Sequence, residues 1–266
     1  MRLFIAVFIV LGLSSHAASA CGPDSDCRIG DRIYRIAMPE GPPKGALIHA
    51  HGYRGTAKGV IRNKGLRALA SEIGYALVAP KSAGDDWKIP GTPSDPGIDG
   101  SVEFSYFDAL LDRLTSEHAV PANRIYASGF SAGGMMVWNL ACHRGSDFAG
   151  FIPIAGTFWE PMPQGCPNLG ARMVHVHGLS DRIVPLGGRP IGSTHQGDVP
   201  TALTLFAQVI EAETNTTRFR DLDCQEYDLG TQRSLSFCTH PGGHSIKAAY
   251  LRAGLDIIQA HATKTE

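Results

Sequence analysis

Residues 124–136 have the sequence RIYASGFSAGGMM, an apolar run followed by a Gly-x-Ser-x-Gly pattern and the start of a helical pattern. The apolar run has the length and composition of a buried strand, and apolar residues spaced by three and four over Gly133–His143 predict a helix. The pattern therefore predicts that Ser131 lies at a sharp turn from strand to helix. Gly129 and Gly133 suit such a turn, because side chains at these positions would collide.

A serine at such a turn is a candidate nucleophile, since its hydroxyl stands above the sheet at the positive end of the following helix. The alternative is a Gly- and Ser-rich turn without chemistry. The strand before Ser131 and the helix after it favour the nucleophile, because the five-residue pattern alone often occurs by chance.

Outside this turn, strand-like and helix-like segments alternate from Arg32 to the end of the chain. Short apolar runs predict strands at Arg32–Met38, Gly45–Ala50, Tyr75–Ala79, Arg124–Ser128, Gly150–Ala155, Arg172–His177 and Ser234–Cys238. Helical spacing predicts helices at Gly59–Ile73, Ser101–His118, Gly133–His143, Val199–Glu213 and Ser245–His261. Together with the Ser131 turn, this alternation predicts the α/β-hydrolase fold, an α/β fold with a mostly parallel central sheet and helices on both faces.

Residues 81–100 interrupt this alternation, because they are rich in Gly, Pro, Asp and Ser. They directly follow a predicted strand, so the loop is expected at the carboxyl edge of the sheet, where ligands bind in such folds. A solvated surface loop is the open alternative.

A serine hydroxyl becomes a good nucleophile only when a base accepts its proton, and histidine has a suitable pKa. In α/β-hydrolases the base follows the nucleophile and the acid in the chain, on a loop after the final strand. His244 meets this expectation, since it follows a glycine-rich turn after Ser234–Cys238. His240, four residues earlier, is the alternative.

Asp181 is the expected acid, because it follows the strand Arg172–His177 and emerges at the same edge as Ser131. Asp198 is a weaker alternative on position. For the oxyanion hole, the sequence predicts the backbone N–H groups of Ala132, which follows the nucleophile, and of Tyr53, in the loop after the strand Gly45–Ala50. Arg54 is a less favoured second donor.

Residues 1–20 have the pattern of a signal peptide, with Arg2, an apolar run too short to span a bilayer comfortably, and the small residues Ala18-Ser19-Ala20. The sequence thus predicts a secreted protein, extracellular or periplasmic, with one catalytic domain at residues 21–266 and no membrane span. Lipidation of Cys21 is an alternative.

Six cysteines follow the predicted cleavage site, and an even number in an exported chain suggests disulfides. Six cysteines allow 15 pairings, and the sequence does not select one. We expect local pairing, namely Cys21–Cys27, Cys142–Cys166 and Cys224–Cys238; the last two residues flank strand-like runs that a hairpin would bring together.

The composition limits the classes of function. Of the 266 residues, 43% are hydrophobic and 18% charged, which is typical of a globular protein, and the net charge of −1 gives no reason to expect nucleic acid as a partner. The pairs His49/His51 and His175/His177 could each bind a metal from one strand face, but no further ligand follows with zinc-site spacing, so no metal and no cofactor is expected.

The motifs HGYRGTA, RIYASGFSAGGMM, HGLSDRIVP and PGGHS resemble those of the polyhydroxybutyrate depolymerase-like esterases, a family related to feruloyl and acetylxylan esterases. The resemblance covers about residues 21–259. It implies an exported, cofactor-free serine esterase, and it agrees with a Cys142–Cys166 disulfide.

Two departures from that family border the predicted pocket: Tyr53 stands where many relatives have Cys, and Ser245-Ile246 stand where relatives often have an aromatic residue and Pro. Relatives that attack crystalline polymer usually carry an added binding domain, and none is evident here. We therefore expect soluble oligomers or small esters as substrates. A feruloyl or acetylxylan esterase, a peptidase and a non-catalytic binding protein of the same fold are the alternatives.

Overall fold

The computed structural model describes residues 21–208, 214–227, 229–230 and 233–263, so the predicted signal peptide lies outside the described residues. Strands form where short runs of apolar and β-branched residues alternate with turn residues. They are β1 (Cys27–Ile29), β2 (Arg32–Ala37), β3 (Gly45–Ala50), β4 (Tyr75–Pro80), β5 (Ile125–Phe130), β6 (Gly150–Ile154), β7 (Arg172–Gly178), β8 (Pro190–Ile191), β9 (Thr194–His195), β10 (Thr214–Phe219), β11 (Leu222–Tyr227) and β12 (Ser234–His240).

One sheet contains ten of these strands, in the order β1-β2-β4-β3-β5-β6-β7-β12-β11-β10. The central strands β4, β3, β5, β6, β7 and β12 run parallel, and the strands at both edges are antiparallel. Strands β8 and β9 form a separate hairpin. Because parallel strands end at the same edge of a sheet, the loops after β3, β5, β7 and β12 meet there.

Helices cover both faces of this sheet. They are α1 (Ala57–Arg62), α2 (Lys64–Ile73), α3 (Ser101–Ser116), α4 (Ala132–His143), α5 (Val199–Ala207) and α6 (Ala248–Thr263). Helices α3, α4 and α5 share one hydrophobic cluster, and α1, α2 and α6 share a second. Both strand faces are therefore covered, which explains why every residue of β3 and β4 is buried.

The predicted helix Gly59–Ile73 is wrong as a single element, because the chain breaks at Asn63. Its backbone is extended, with φ −67° and ψ 106°, and its side chain accepts a hydrogen bond from Leu66 N. This capping interaction starts a new helix and competes with continuation of the first. The other predicted helices differ at their ends: α6 begins at Ala248 rather than Ser245, and α5 ends at Ala207, where Gln208 takes a left-handed conformation.

Three disulfides join Cys21 to Cys27, Cys142 to Cys166 and Cys224 to Cys238, which is the local pairing expected from the sequence. The third links residues that lie directly opposite each other on β11 and β12. It therefore fastens the antiparallel edge to β12, the strand that leads to His244. Across the described ranges, no helix is long and apolar enough to cross a membrane.

Candidate active site

Ser131 lies between β5 and α4 in a strained backbone conformation, with φ 58° and ψ −123°. The turn is possible only because its neighbours lack side chains. A Cβ added to Gly129 would lie 2.2 Å from Gly133 O, and one added to Gly133 would lie 2.0 Å from Ala50 O. The predicted strand–turn–helix geometry is thus present, and a positive φ at a non-glycine residue is a conformation concentrated at functional sites.

Asp181 follows β7 and is fixed by its own loop. Its Oδ1 accepts hydrogen bonds from Ile183 N at 2.8 Å and Val184 N at 2.9 Å, while Oδ2 lies 2.7 Å from His244 Nδ1. The Asp181 side chain is fully buried. A buried carboxylate on Nδ1 fixes the ring of His244 and directs the proton to Nδ1, which leaves Nε2 as the acceptor.

The loop that carries His244 packs directly on the loop that carries Asp181. Ser180 donates from N to Gly242 O at 3.0 Å and from Oγ to Pro241 O at 3.0 Å. Gly178 allows this approach, because a Cβ at that position would lie 2.4 Å from Gly242 O. The short distance between acid and histidine therefore results from contact between two loops, although the two residues are 63 positions apart in the chain.

The two alternative residues have structural contacts instead. His240 accepts a hydrogen bond from Gly242 N at 3.1 Å, and its ring stacks on Tyr250 at 4.7 Å between centroids. Burial lowers the pKa of His240, which favours a neutral ring. Asp198 is the N-cap of α5 and accepts from Thr201 N at 2.7 Å. The geometry therefore favours His244 and Asp181 over both.

Phe130, the residue before Ser131, packs on His244, with 4.6 Å between the two ring centroids. Within the described part of the chain, Ser131 Oγ makes no hydrogen bond to His244. Catalytic hydrogen bonds are often long in proteins without substrate and shorten when the substrate binds. The structure thus brings the acid and the histidine into contact, and Ser131 directly follows a residue that packs on the histidine ring.

Among the described residues, the backbone N–H groups of Ala132 and Tyr53 are available for an oxyanion. Ala132 is the first residue of α4, so its N–H has no partner within the helix. In the loop after β3, Arg54 N donates to Asp85 O at 2.8 Å, whereas Tyr53 N has no partner among the described residues. This difference favours Tyr53 over Arg54 as the second donor, and both Tyr53 and Ala132 line the same cleft as Ser131.

His51 holds the backbone of this loop. Its Nε2 accepts from Ser82 N at 3.2 Å, so its Nδ1 carries the proton and donates to Gly52 O at 2.7 Å. Trp87 Nε1 donates to His51 O at 2.8 Å. Burial lowers the pKa of His51 to about 4, which keeps the ring neutral. The loop bearing Tyr53 is therefore fixed before any ligand binds.

The remaining strand histidines are engaged in internal hydrogen bonds. His49 Nδ1 lies 2.9 Å from Ser128 Oγ, and burial lowers the pKa of His49 to about 3. His177 donates from Nε2 to Val184 O at 2.7 Å, so its Nδ1 accepts from His175 Nε2 at 3.0 Å. Burial lowers the pKa of both residues. Because Val184 N also donates to Asp181 Oδ1, the hydrogen bond from His177 helps to fix the loop that carries Asp181. The sequence pattern did not reveal this role.

Ser131 opens into a cleft of about 470 Å³. Its walls come from the loop 81–100, from α4, and from residues 183–196, which include the β8–β9 hairpin. The loop 81–100 is thus part of the cleft rather than only a solvated surface loop.

Trp87 is fully buried and Trp159 nearly so, and neither lines the cleft. A larger hollow of about 590 Å³, near Asp108 and Asp147, contains none of the candidate residues.

Known proteins resemble this chain in sequence. The family described as phospholipase/carboxylesterase matches residues 97–193, which include Ser131 and Asp181. NocK of Nocardia uniformis, a protein named as an esterase, is 32% identical over 176 residues, which cover 64% of this chain and half of NocK. Feruloyl esterase C of Emericella nidulans is 24% identical over 229 residues, which cover 82% of this chain and 77% of that protein.

Solved structures support the fold. Acetyl xylan esterase from Aspergillus awamori has a TM-score of 0.57 at 15% identity, over 82% of this chain and 90% of that chain. A carboxylesterase of Bacillus cereus has the same TM-score at 12% identity, over 87% and 95%. At these identities the likeness concerns the fold alone. The chain is therefore an α/β-hydrolase-fold protein, similar in sequence to proteins named as esterases.

Proposed function

We propose that this protein is a serine carboxylic ester hydrolase and that residues 21–266 form its single catalytic domain. In this proposal Ser131 is the nucleophile, His244 the general base and Asp181 the acid that orients it. The main support is the 2.7 Å contact between Asp181 Oδ2 and His244 Nδ1. The strained backbone of Ser131 and the packing of the preceding residue, Phe130, on the His244 ring add to it.

The proposed reaction has two halves. In the first, His244 Nε2 takes the proton of Ser131 Oγ as the oxygen attacks the ester carbonyl carbon, and the N–H groups of Tyr53 and Ala132 bind the resulting oxyanion. The C–O bond to the alcohol then breaks, and His244 gives its proton to the leaving oxygen. In the second half, a water molecule attacks the acyl-enzyme by the same route and releases the carboxylic acid and Ser131.

For the substrate, we propose soluble hydroxyalkanoate oligomers or small esters, on the basis of the motifs shared with polyhydroxybutyrate depolymerase-like esterases. The cleft of about 470 Å³ is of a size suited to small ligands. A feruloyl or acetylxylan esterase is the second candidate, supported by the sequence likeness to feruloyl esterase C. Rates on hydroxybutyrate oligomers, methyl ferulate and acetylated xylan would separate the two.

We also propose that the protein acts outside the cytoplasm. Three disulfides in the described residues support this, because disulfides persist mainly in oxidising compartments. Mass analysis of the mature N-terminus would test it: cleavage before an unmodified Cys21 is expected for a secreted protein, and an acylated Cys21 would indicate a lipoprotein.

The central test compares the wild-type protein with Ser131→Ala. We expect turnover of p-nitrophenyl butyrate to fall by roughly a millionfold, as in other triads, with thermal unfolding unchanged. A fluorophosphonate probe should label the wild type and not the variant. A folded wild-type protein that is neither labelled nor active would instead support a non-catalytic binding protein.

A further inference from the structure

Gln196 lines the Ser131 cleft and carries a side-chain oxygen that has no hydrogen-bond partner among the described residues. The residue is only 4% exposed, and its Oε1 is buried without a hydrogen-bond partner in the described part of the chain. A few other buried side-chain atoms in these ranges also lack partners, but none belongs to a residue that lines the cleft. Buried polar groups are nearly always paired, so this exception requires an explanation.

The backbone of Gln196 is firmly held, so the unpaired amide does not result from a loose loop. Gln196 N donates to Arg189 O at 2.9 Å, and its carbonyl oxygen lies 2.6 Å from His195 Nδ1. The residue also pairs with Trp159 in an isolated antiparallel bridge. Gln196 thus directly follows the β8–β9 hairpin, on a backbone that is held in place before a ligand binds.

The chemistry of an amide indicates what that partner is. A glutamine side chain offers one accepting oxygen and one donating nitrogen, and either can face the ligand. A hydroxyl group both donates and accepts, so it can pair with the amide in either orientation. Asp86, which lines the same cleft, accepts from Trp87 N at 2.8 Å and Thr92 Oγ1 at 3.2 Å and still has lone pairs for a second hydroxyl contact.

An anionic ligand fits the cleft less well. Arg189 also lines the cleft and makes no ion pair among the described residues, so its charge would attract an anion. The side chain is partly exposed, however, and water solvates its charge without a ligand. Its Nε donates to Ile183 O at 2.8 Å. The carboxylate of Asp86 in the same cleft would repel a ligand carboxylate. A neutral hydroxylated ligand can contact both Gln196 and Asp86 without this repulsion.

We propose that Gln196 is a specificity-determining residue that binds a hydroxyl group of the ester substrate, on either its acyl or its alcohol part. This inference rests on the proposed esterase activity of Ser131. It narrows the substrate class to hydroxylated esters, and it gives the β8–β9 hairpin the role of a recognition element.

Matched ester pairs that differ by one hydroxyl test the inference on the wild-type protein. The acyl pair is p-nitrophenyl butyrate and p-nitrophenyl 3-hydroxybutyrate; the alcohol pair is ethyl butyrate and 2-hydroxyethyl butyrate. We expect kcat/KM to be roughly tenfold higher for the hydroxylated member of one pair, since leaving a buried amide unpaired weakens binding by about that factor. The pair that responds identifies the part of the substrate that carries the hydroxyl.

The variant Gln196→Met keeps the side-chain length and removes the amide, and Gln164→Met makes the same change at an exposed residue outside the cleft. We expect the preference for the hydroxylated ester to disappear in Gln196→Met and to persist in Gln164→Met. Labelling of Ser131 by a fluorophosphonate verifies that each variant is folded.

Two results would overturn the inference while the esterase proposal stands: a wild-type protein that hydrolyses both pairs without preference, or a Gln196→Met variant that keeps the preference. If the wild type hydrolyses no ester and Ser131 is not labelled, the proposed function itself has failed.

Discussion

Asp181→Asn is the substitution for which the structure gives the sharpest expectation. The Oδ1 atom of Asp181 accepts from two backbone N–H groups, those of Ile183 and Val184. An asparagine at this position must keep its oxygen there, because its amide nitrogen cannot accept those bonds. The NH₂ group then occupies the Oδ2 position, 2.7 Å from His244 Nδ1.

This orientation reverses the tautomer of His244. Facing an NH₂ donor, Nδ1 must accept, so the proton of the neutral ring moves to Nε2, and Nε2 can no longer take the proton of Ser131. In the analogous serine-protease substitution kcat falls by roughly 10⁴-fold, or about 5.4 kcal/mol at 1.36 kcal/mol per decade. The fold should survive, since both backbone bonds to Oδ1 remain.

The assay is the steady-state hydrolysis of p-nitrophenyl butyrate at pH 7.5, with thermal unfolding as the check on folding. Asp198→Asn is the matched control, because Asp198 also accepts a backbone N–H but only caps α5. We expect near-wild-type kcat for the control. A loss of less than tenfold in folded Asp181→Asn, or an equal loss in both variants, would refute the assignment of the acid.

Two further predictions concern stability. Glu103→Gln removes the charge of a fully buried carboxylate that lies 2.7 Å from Arg32, so we expect a loss of about 3–5 kcal/mol, or a Tm lower by roughly 6–20 °C. Asp223→Asn is the control, because it removes the charge of an exposed ion pair with Arg218, and its Tm should hardly change. Equal Tm shifts in the two variants would contradict the reasoning. The second concerns His49, whose pKa burial lowers from 6.5 to about 3. Below pH 6.5 the unfolded state binds more protons than the folded state, so this contribution to the free energy of unfolding is complete above pH 6.5 and falls as the pH drops. Between pH 7 and 5, urea unfolding should therefore show a loss of free energy that is about 2 kcal/mol larger in the wild type than in His49→Gln. Equal losses in the two proteins would exclude this contribution.

The sequence was informative where local patterns have a single structural solution. The Gly-x-Ser-x-Gly turn predicted the strained Ser131, because only glycine tolerates the contacts of 2.0–2.2 Å that a Cβ would make on either side. Apolar runs gave the central strands to within a residue or two. Helix ends were predicted less well, since the break at Asn63 depends on one capping side chain within an otherwise helical pattern.

Other features depended on contacts between distant segments. Spacing alone left His240 and His244 both open, and the structure separates them because one ring stacks on Tyr250 while the other contacts Asp181. The role of His177 in holding the Val184 carbonyl was not predictable, because His175 and His177 on one strand resemble a metal-binding pair as much as a buried network.

The sequence by itself determined the fold class, the turn at Ser131 and the chain order of the candidate residues, because these follow from side-chain size and periodicity within short segments. Only the tertiary structure decided which acid contacts which histidine. It alone also showed that, among the described residues, Tyr53 N and Gln196 Oε1 have no hydrogen-bond partner. The physical reason is that a hydrogen bond depends on distances of a few tenths of an ångström. Such distances are set by how loops more than 50 residues apart pack at one edge of the sheet, and no local pattern encodes them.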